Sequence, residues 1–300
     1  MPFRSSIARL IDSKTSLPLC TIELQGPSRR LLKARHHDID KMEIKTKSLT
    51  ATLHAKAIKF TVYKLQIRSN VRFADTVKWV LIKRYSEFFY FRQTLLKHVE
   101  KWDRQFRDHS NRSQCKEFAL AEAVLLPALQ TPTFPRKHMR CDTDVIVKER
   151  QKKLQHFVRE MLDAYADISV YVYDTQLRNT RTLSNLSEAL DMLEEFLEIP
   201  PQQKEINRYQ TAAVLALEDV GPEDIASSIS TDHTCCICLN EYDCRKEACG
   251  TVKDSMVKLP CSHHFHEDCI IDWFNTSTTC PLCRKHAFTD AQRSFAVLIE

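Results

Sequence analysis

Nine of the chain's 12 cysteines lie between Cys235 and Cys283, and three histidines lie within the same segment. In chain order, the potential metal donors are Cys235, Cys238, Cys261, His263, His266, Cys269, Cys280 and Cys283. A Cys-x-x-Cys turn brings two thiolates to the separation that a tetrahedral zinc ion requires, and eight donors complete two closed sites. A closed site leaves no position for water, so the spacing predicts zinc that folds this segment rather than catalysing a reaction.

Disulfides are the other use of clustered cysteines, but they are typical of small secreted domains. No secretory signal is evident in the first residues, which carry arginines without a following apolar segment. The pattern therefore favours metal. Cys236 and His264 occupy spacer positions, whereas Cys244 and Cys249 lie in the long interval after the first cysteine pair. Those two residues are either alternative ligands or free thiols of an inserted loop.

The donor order resembles that of a RING finger of the two-histidine type, over residues 233–286. Leu259-Pro260, Phe265, Trp273 and the closing Cys280-Pro-Leu-Cys-Arg284 agree with that family. The resemblance implies a small cross-brace fold with two interleaved structural zinc ions. By that resemblance, one zinc is held by Cys235, Cys238, His266 and Cys269, and the other by Cys261, His263, Cys280 and Cys283.

The RING resemblance also implies a function, which is to recruit a ubiquitin-conjugating enzyme and to hold its linked ubiquitin in a reactive conformation. The residues that match the family's apolar docking patch are Ile237, Trp273, Pro281 and Leu282. Arg284 matches the arginine that bridges the conjugating enzyme and ubiquitin, a role that suits the fixed fork of guanidinium donors. No residue of the segment is expected to act as a chemical catalyst.

Charge divides the chain into two parts. The formal net charge is +5, but residues 1–200 hold 35 Lys and Arg against 24 Asp and Glu, whereas residues 201–300 hold 9 against 15. A basic body with an acidic C-terminal third suggests two modules with different partners. The content of 43% hydrophobic residues is typical of a globular protein, and no apolar run reaches the length of a membrane span.

The basic part has the pattern of an α+β domain over residues 55–200, because β-rich runs come first and amphipathic helices follow. Residues 1–54 form an N-terminal extension, in which Arg29–His37 is expected to be a solvated, positively charged stretch. A hydrophilic insertion at about 101–120 is expected to be a surface excursion, with Trp102–Lys116 as a loop and Glu117–Leu126 as a short helix. Residues 201–232 read as a partly helical linker, and 287–300 as a C-terminal tail.

Three motifs of this domain resemble those of a PX domain, a phosphoinositide-binding fold with a small antiparallel sheet and a helical subdomain. They are Arg84-Tyr-Ser-Glu-Phe88, the loop Phe134-Pro-Arg-Lys137, and the helix that carries Arg150. Arginine grips phosphate through paired, charge-assisted hydrogen bonds, and lysine supplies a point charge.

The PX resemblance implies a role for each matching residue. Arg84 would hold the 3-phosphate, Tyr85 would pack against the inositol ring, Lys137 would pair with the 1-phosphate, and Arg150 would hydrogen-bond the ring hydroxyls. The implied ligand is phosphatidylinositol 3-phosphate. Phe134 and Pro135 occupy the loop that the family dips into the bilayer.

Together the two resemblances predict a RING-type ubiquitin ligase on endosomal or vacuolar membranes. Its expected partners are a conjugating enzyme, ubiquitin, a phosphatidylinositol 3-phosphate membrane and a protein substrate. The alternative is a non-enzymatic membrane adaptor whose RING finger only binds proteins. Nucleic acid is not an expected partner, because the sequence has no aromatic-rich RNA-binding signature and no basic recognition helix.

Overall fold

A computed structural model describes residues 26–53, 58–71, 76–107, 116–130, 134–138, 142–177, 184–220, 235–240 and 256–289. Its helices are α1 (Gly26–Lys41), α2 (Tyr85–Arg107), α3 (Lys116–Leu129), α4 (Asp144–Leu177), α5 (Ser184–Leu197), α6 (Pro201–Leu215) and α7 (Glu267–Trp273). Its strands are β1 (Glu43–Leu53), β2 (Ile58–Arg68), β3 (Lys78–Arg84), β4 (Glu218–Asp219), β5 (Met256–Lys258) and β6 (His264–His266). The predicted α+β class is confirmed. None of these helices could cross a membrane, given their length and polarity.

Strands β1, β2 and β3 form an antiparallel sheet with β2 in the centre. The alternate residues Tyr63 and Leu65 of β2 point inward and are fully buried. The long helix α4 covers this inner face, where Gln151 donates a hydrogen bond of 2.9 Å to the Ser48 hydroxyl on β1. The other face is left to solvent, which is the usual arrangement of a sheet with one helical layer.

An aromatic cluster holds α2, α4 and α5 together. The Phe88 ring meets Phe157 and Phe196 edge to face, with centroids 6.4 and 5.4 Å apart. Phe91 stacks on Phe196 with centroids 3.8 Å apart. Such ring pairs contribute about 0.5–1.5 kcal/mol each beyond their buried area. The cluster therefore fixes the start of α2, where β3 delivers Arg84 and Tyr85.

The hydrophilic insertion at 101–120 is not a loop at its first end, so that prediction is wrong there, whereas the helix predicted from Glu117 is confirmed by α3. Helix α2 continues through Arg107 and α3 begins at Lys116, while residues 108–115 lie outside the described ranges. Trp102 and Phe118 are 2% and 4% exposed, and their ring centroids are 5.6 Å apart. These two rings join the ends of the segment to the core.

The stretch Arg29–His37 is not a solvated segment, which corrects the sequence prediction. It lies within α1, which packs against α4, α6 and α7. His36 contacts Asp167 at 2.6 Å and Asp163 at 3.4 Å on α4. Burial by itself would lower the pKa of His36, but the hydrogen bonds to these two carboxylates raise it to about 10. The charges of α1 are thus matched by acidic residues far away in the sequence.

Residues 201–219 join the two parts of the chain by contributing to both. Helix α6 packs against α1. Strand β4 then pairs with β5, with Glu218 opposite Lys258, and so becomes the edge of the second sheet, β4-β5-β6. The cysteine-rich module therefore takes one strand from the segment that precedes it.

Candidate functional sites

The metal donors form two separate groups of four, each with its ligand atoms within 4.8 Å of one another. The first contains Cys235, Cys238, His266 and Cys269, and the second contains Cys261, His263, Cys280 and Cys283. These are the two interleaved quartets that the RING resemblance implies. In both groups the histidine turns Nδ1 inward: His266 Nδ1 lies 3.3 Å from Cys238 Sγ, and His263 Nδ1 lies 3.2 Å from Cys261 Sγ.

The two Cys-x-x-Cys turns repeat one backbone pattern. The N–H of Leu239 donates to the carbonyl of Cys235 at 2.7 Å, and the N–H of Arg284 donates to the carbonyl of Cys280 at 2.9 Å. Leu239 and Arg284, the residues that follow the two pairs, both have a φ of 60°. A non-glycine residue in this region costs about 1–2 kcal/mol, and the hydrogen bonds of each turn offset that cost.

The donor set of the first group suits a cation. Burial and the neighbouring charge of Cys235 raise the pKa of Cys269 to about 12. Three thiolates side by side repel one another, so they ionise together only when a metal ion stands between them. Sulfur and imidazole in fours are the donor set of structural zinc, and the spacings suit a tetrahedron with bonds of about 2.3 Å to sulfur. The two groups fit two structural zinc ions.

Residues outside the quartets are placed as follows. Cys236 is exposed and belongs to neither group, and His264 lies on β6 between the ligands His263 and His266. Cys244 and Cys249 lie outside the described residues. The choice between alternative ligands and loop thiols therefore stays open for these two.

The residues matched to the conjugating-enzyme patch lie at the two cysteine turns and at the end of α7. Leu282 is 53% exposed, while Ile237 and Pro281 are half-buried. Trp273 is also half-buried, and its indole N–H donates a hydrogen bond of 2.8 Å to the carbonyl of Thr279, which fixes the ring.

One exposed apolar residue of this module was not identified from sequence. Leu239 is 76% exposed and occupies, after the first cysteine pair, the position that exposed Arg284 occupies after the last. The repeated Cys-x-x-Cys turn is the sequence signal that could have identified it.

The opposite charges of α1 and α7 hold the zinc module against the helical part of the chain. Arg30 Nε donates to Glu267 Oε2 at 2.9 Å, and these residues are only 3% and 4% exposed. The guanidinium also contacts Asp219 on β4. Three surface pairs continue along the two helices: Lys33–Asp268, His37–Asp272 and Lys41–Asp272.

The proposed phosphoinositide residues lie around the junction of β3 and α2. Arg84 is exposed and stacks over the Phe60 ring, with its guanidinium carbon 3.5 Å from the centroid. Tyr85 is half-buried, and its hydroxyl donates to the carbonyl of Pro135 at 2.8 Å. Burial raises the pKa of the Tyr85 hydroxyl, so it stays a neutral donor.

Arg150 packs against Tyr85 from the inside. Its guanidinium carbon lies 4.0 Å from the centre of the Tyr85 ring, and its Nη1 donates to Asp142 Oδ1 at 2.6 Å. Arg150 is 4% exposed. The arginine is therefore engaged with the protein on two sides and supports the tyrosine ring.

The loop that contains Lys137 is folded against the domain. Lys137 is exposed, with its ammonium 5.4 Å from the centre of the Phe89 ring. Phe134 is 3% exposed and packs against Phe157 with centroids 5.0 Å apart, and Pro135 is also buried. The expectation that Phe134 and Pro135 enter the bilayer is therefore wrong for this structure, because both belong to the core.

Arg92 was not identified from sequence, although it shapes this region. Its Nε donates to the carbonyl of Leu129 at 2.6 Å, and its guanidinium lies 5.1 Å from the Phe134 ring centre. Arg92 follows Tyr85 by about two helical turns and so lies on the same face of α2. That spacing was the available signal.

Comparisons with known proteins agree with this division. A family model described as "Ring finger domain" matches residues 233–284, and one described as "PX domain" matches residues 71–169. The chain is 32% identical over 78 residues to the E3 ubiquitin-protein ligase RNF181 of Mus musculus, an alignment covering 26% of this chain and 42% of that protein. It is 45% identical over 51 residues to the E3 ubiquitin-protein ligase RNF126-B of Xenopus laevis, covering 17% of this chain and 14% of that protein.

The chain thus spans less than half the length of these curated relatives. No solved structure matches it. The chain carries a PX domain and a C-terminal RING finger of the two-histidine type.

Proposed function

We propose that this protein is a RING-type ubiquitin ligase that is recruited to membranes by its PX domain. The observation that carries the ligase proposal is the way in which the RING finger is attached. Its acidic helix α7 faces α1, whereas Leu282 and Arg284 of the last cysteine turn are exposed. The attachment through α7 therefore leaves Leu282 and Arg284, two of the residues matched to conjugating-enzyme binding, accessible to solvent.

The docking face would consist of Ile237, Trp273, Pro281 and Leu282, with Leu239 added to it. Zinc, when bound by the two quartets, would hold both cysteine turns in shape and so present these side chains. Arg284 would donate hydrogen bonds both to the conjugating enzyme and to its ubiquitin, since one guanidinium carries five donors. No group of the RING finger takes part in bond making; its contribution is orientation.

Autoubiquitination with a panel of conjugating enzymes tests this proposal. Wild-type protein should form ubiquitin chains, and Ile237→Ala or Arg284→Ala should abolish most of that activity. Lys285→Ala is the matched control, because it removes one exposed positive charge directly beside Arg284. A wild-type protein that is inactive with every enzyme of the panel would favour the adaptor alternative.

For the PX domain, we propose phosphatidylinositol 3-phosphate as the ligand, with Arg84 on the 3-phosphate and Lys137 on the 1-phosphate. Both side chains are exposed and face no carboxylate among the described residues. Tyr85 would line the inositol ring. Arg150 would act on the ring hydroxyls only after releasing Asp142, so its main contribution would be to hold Tyr85 in place.

Recruitment to endosomal or vacuolar membranes would follow from that lipid. Vesicle sedimentation tests it: the full chain should sediment with vesicles that contain phosphatidylinositol 3-phosphate, and Arg84→Ala should abolish this binding. Arg104→Ala, which removes an exposed arginine near the other end of α2, should bind like the wild type. Equal binding by Arg84→Ala would disprove the assigned pocket.

A further inference from the structure

The outer face of the first sheet is a continuous surface of basic and aliphatic side chains. The pairing of the strands sets them in cross-strand rows, which are Leu49–Val62–Arg84, Lys47–Lys64–Ile82, Lys45–Gln66–Val80 and Glu43–Arg68–Lys78. Glu43 is the one acidic residue in these rows, and it pairs with Lys45 at 2.6 Å. The face therefore carries a strong positive charge.

Three of the four aliphatic residues in these rows are exposed. Leu49, Val80 and Ile82 are 50%, 36% and 58% exposed, and all three point to this face. Large exposed apolar groups beside one another indicate a contact surface rather than a solvated one.

The central row contains an arrangement that lowers the stability of the sheet. Lys47 and Lys64 lie directly opposite each other on β1 and β2, and neither has a carboxylate partner among the described residues. Like charges directly across a strand pair are destabilising. The lysine pair is therefore unfavourable for folding, whereas both of its positive charges can bind an anionic partner.

We propose that this sheet face is a second membrane-docking surface, which binds the anionic phospholipids of a bilayer. The proposal rests on the proposed function for its setting, and Arg84 connects the two surfaces because it ends the first row and also belongs to the lipid pocket. Phe134 and Pro135 are buried, so they do not provide side chains that insert into the bilayer. Leu49, Val80 and Ile82 supply that apolar contact instead.

A bilayer matches the chemistry of this face better than the other anionic partners do. Lys and Arg attract anionic headgroups without a fixed geometry, and the aliphatic side chains enter the acyl boundary. Single-stranded nucleic acid would require aromatic rings to stack on its bases, and among the described residues the one aromatic ring beside these rows, Phe60, is covered by Arg84. An acidic peptide would pair with the lysines but would leave Leu49, Val80 and Ile82 without an apolar partner.

Lys64→Glu is the most informative variant, because it predicts opposite effects on folding and on binding. A glutamate at this position faces Lys47, so the protein should be as stable as the wild type or more stable. Binding of the full chain to vesicles of phosphatidylcholine and phosphatidylserine should nevertheless fall about tenfold, since each basic residue near an anionic surface contributes severalfold to partitioning. Lys97→Glu, an exposed charge reversal on α2, is the matched control and should bind almost normally.

Two further measurements separate this surface from the pocket. Lys64→Glu should bind a soluble, short-chain phosphatidylinositol 3-phosphate as the wild type does. Its binding to vesicles that contain phosphatidylinositol 3-phosphate should be closer to that of the wild type when those vesicles lack phosphatidylserine. Ile82→Ser should reduce the part of vesicle binding that persists at high salt, where charge attraction is screened.

The inference is overturned if Lys64→Glu binds phosphatidylserine vesicles like the wild type, if it also loses the soluble lipid, or if it loses only oligonucleotide or acidic-peptide binding. The wild type could fail to bind phosphatidylinositol 3-phosphate and still bind phosphatidylserine vesicles in a way that depends on Lys64. That result would disprove the assigned pocket and support the sheet face as a membrane-docking surface.

Discussion

The buried ion pair Arg30–Glu267 should hold the RING finger to α1 and so to the helical part of the chain, and Arg30→Met is the change that tests this. The two side chains are 3% and 4% exposed, so solvent screens their attraction very little. Methionine fills much of the volume of the arginine but leaves Glu267 as a buried charge without its closest cation. Removing one partner of such a pair costs about 3–5 kcal/mol.

The assay is urea unfolding of the zinc-loaded full chain, which measures the free energy of unfolding. Arg29→Met is the control, because Arg29 reaches the same carboxylate at 3.9 Å but is 56% exposed. It should cost less than about 1 kcal/mol, as surface pairs do. The double variant Arg30→Met with Glu267→Leu removes both charges and should recover most of the stability lost by the single variant.

Equal small effects of Arg30→Met and Arg29→Met would show that the buried pair does not hold the RING finger in place. A double variant as unstable as the sum of its two single changes would show that the loss comes from packing rather than from an uncompensated charge.

Three further outcomes are expected. The pKa of His36 is raised to about 10, so its ion pairs contribute fully to stability below the unfolded pKa near 6.5, and this contribution is lost as the pH rises towards 10. The free energy of unfolding in urea should therefore fall between pH 7 and pH 9 in the wild type. It should fall less in His36→Gln. Zinc chelation should unfold the RING finger and expose Arg30 on the side of α1 that faces α7, so an arginine-modifying reagent should react faster with Arg30; an Arg30 that stays protected would contradict the docking. Phe134→Ala should lower the free energy of unfolding by about 3–5 kcal/mol, because the ring is core; a stable variant with weakened vesicle binding would restore the bilayer role of this residue.

The zinc quartets and the β3–α2 junction could be read from sequence because their signals are local. Each cysteine turn spans a few residues, and Arg84 and Tyr85 are adjacent in the chain. The order of the donors then groups them into quartets through the family resemblance, and the structure brings the same eight residues together.

The role of α1 could not be read in this way. Arg30 meets Glu267 across 237 positions of sequence, and no periodicity or spacing connects two residues so far apart. A basic stretch such as Arg29–His37 is indistinguishable from a solvated one until its distant partners are known. For Phe134, the motif correctly located a Pro-rich loop, but the packing of its ring against Phe157 depends on a helix later in the chain.

The attachment of the RING finger also has a consequence for genetics and for fragment-based biochemistry. A truncation that deletes residues 1–41 would remove α1 together with Arg30, although it lies at the opposite end of the chain from the zinc ligands. Its phenotype should resemble a weakened RING finger. A RING fragment that starts at residue 233 would likewise lack strand β4 and Arg30, the cation that pairs with Glu267. Activity measured on that fragment should therefore understate what the same residues achieve within the whole chain.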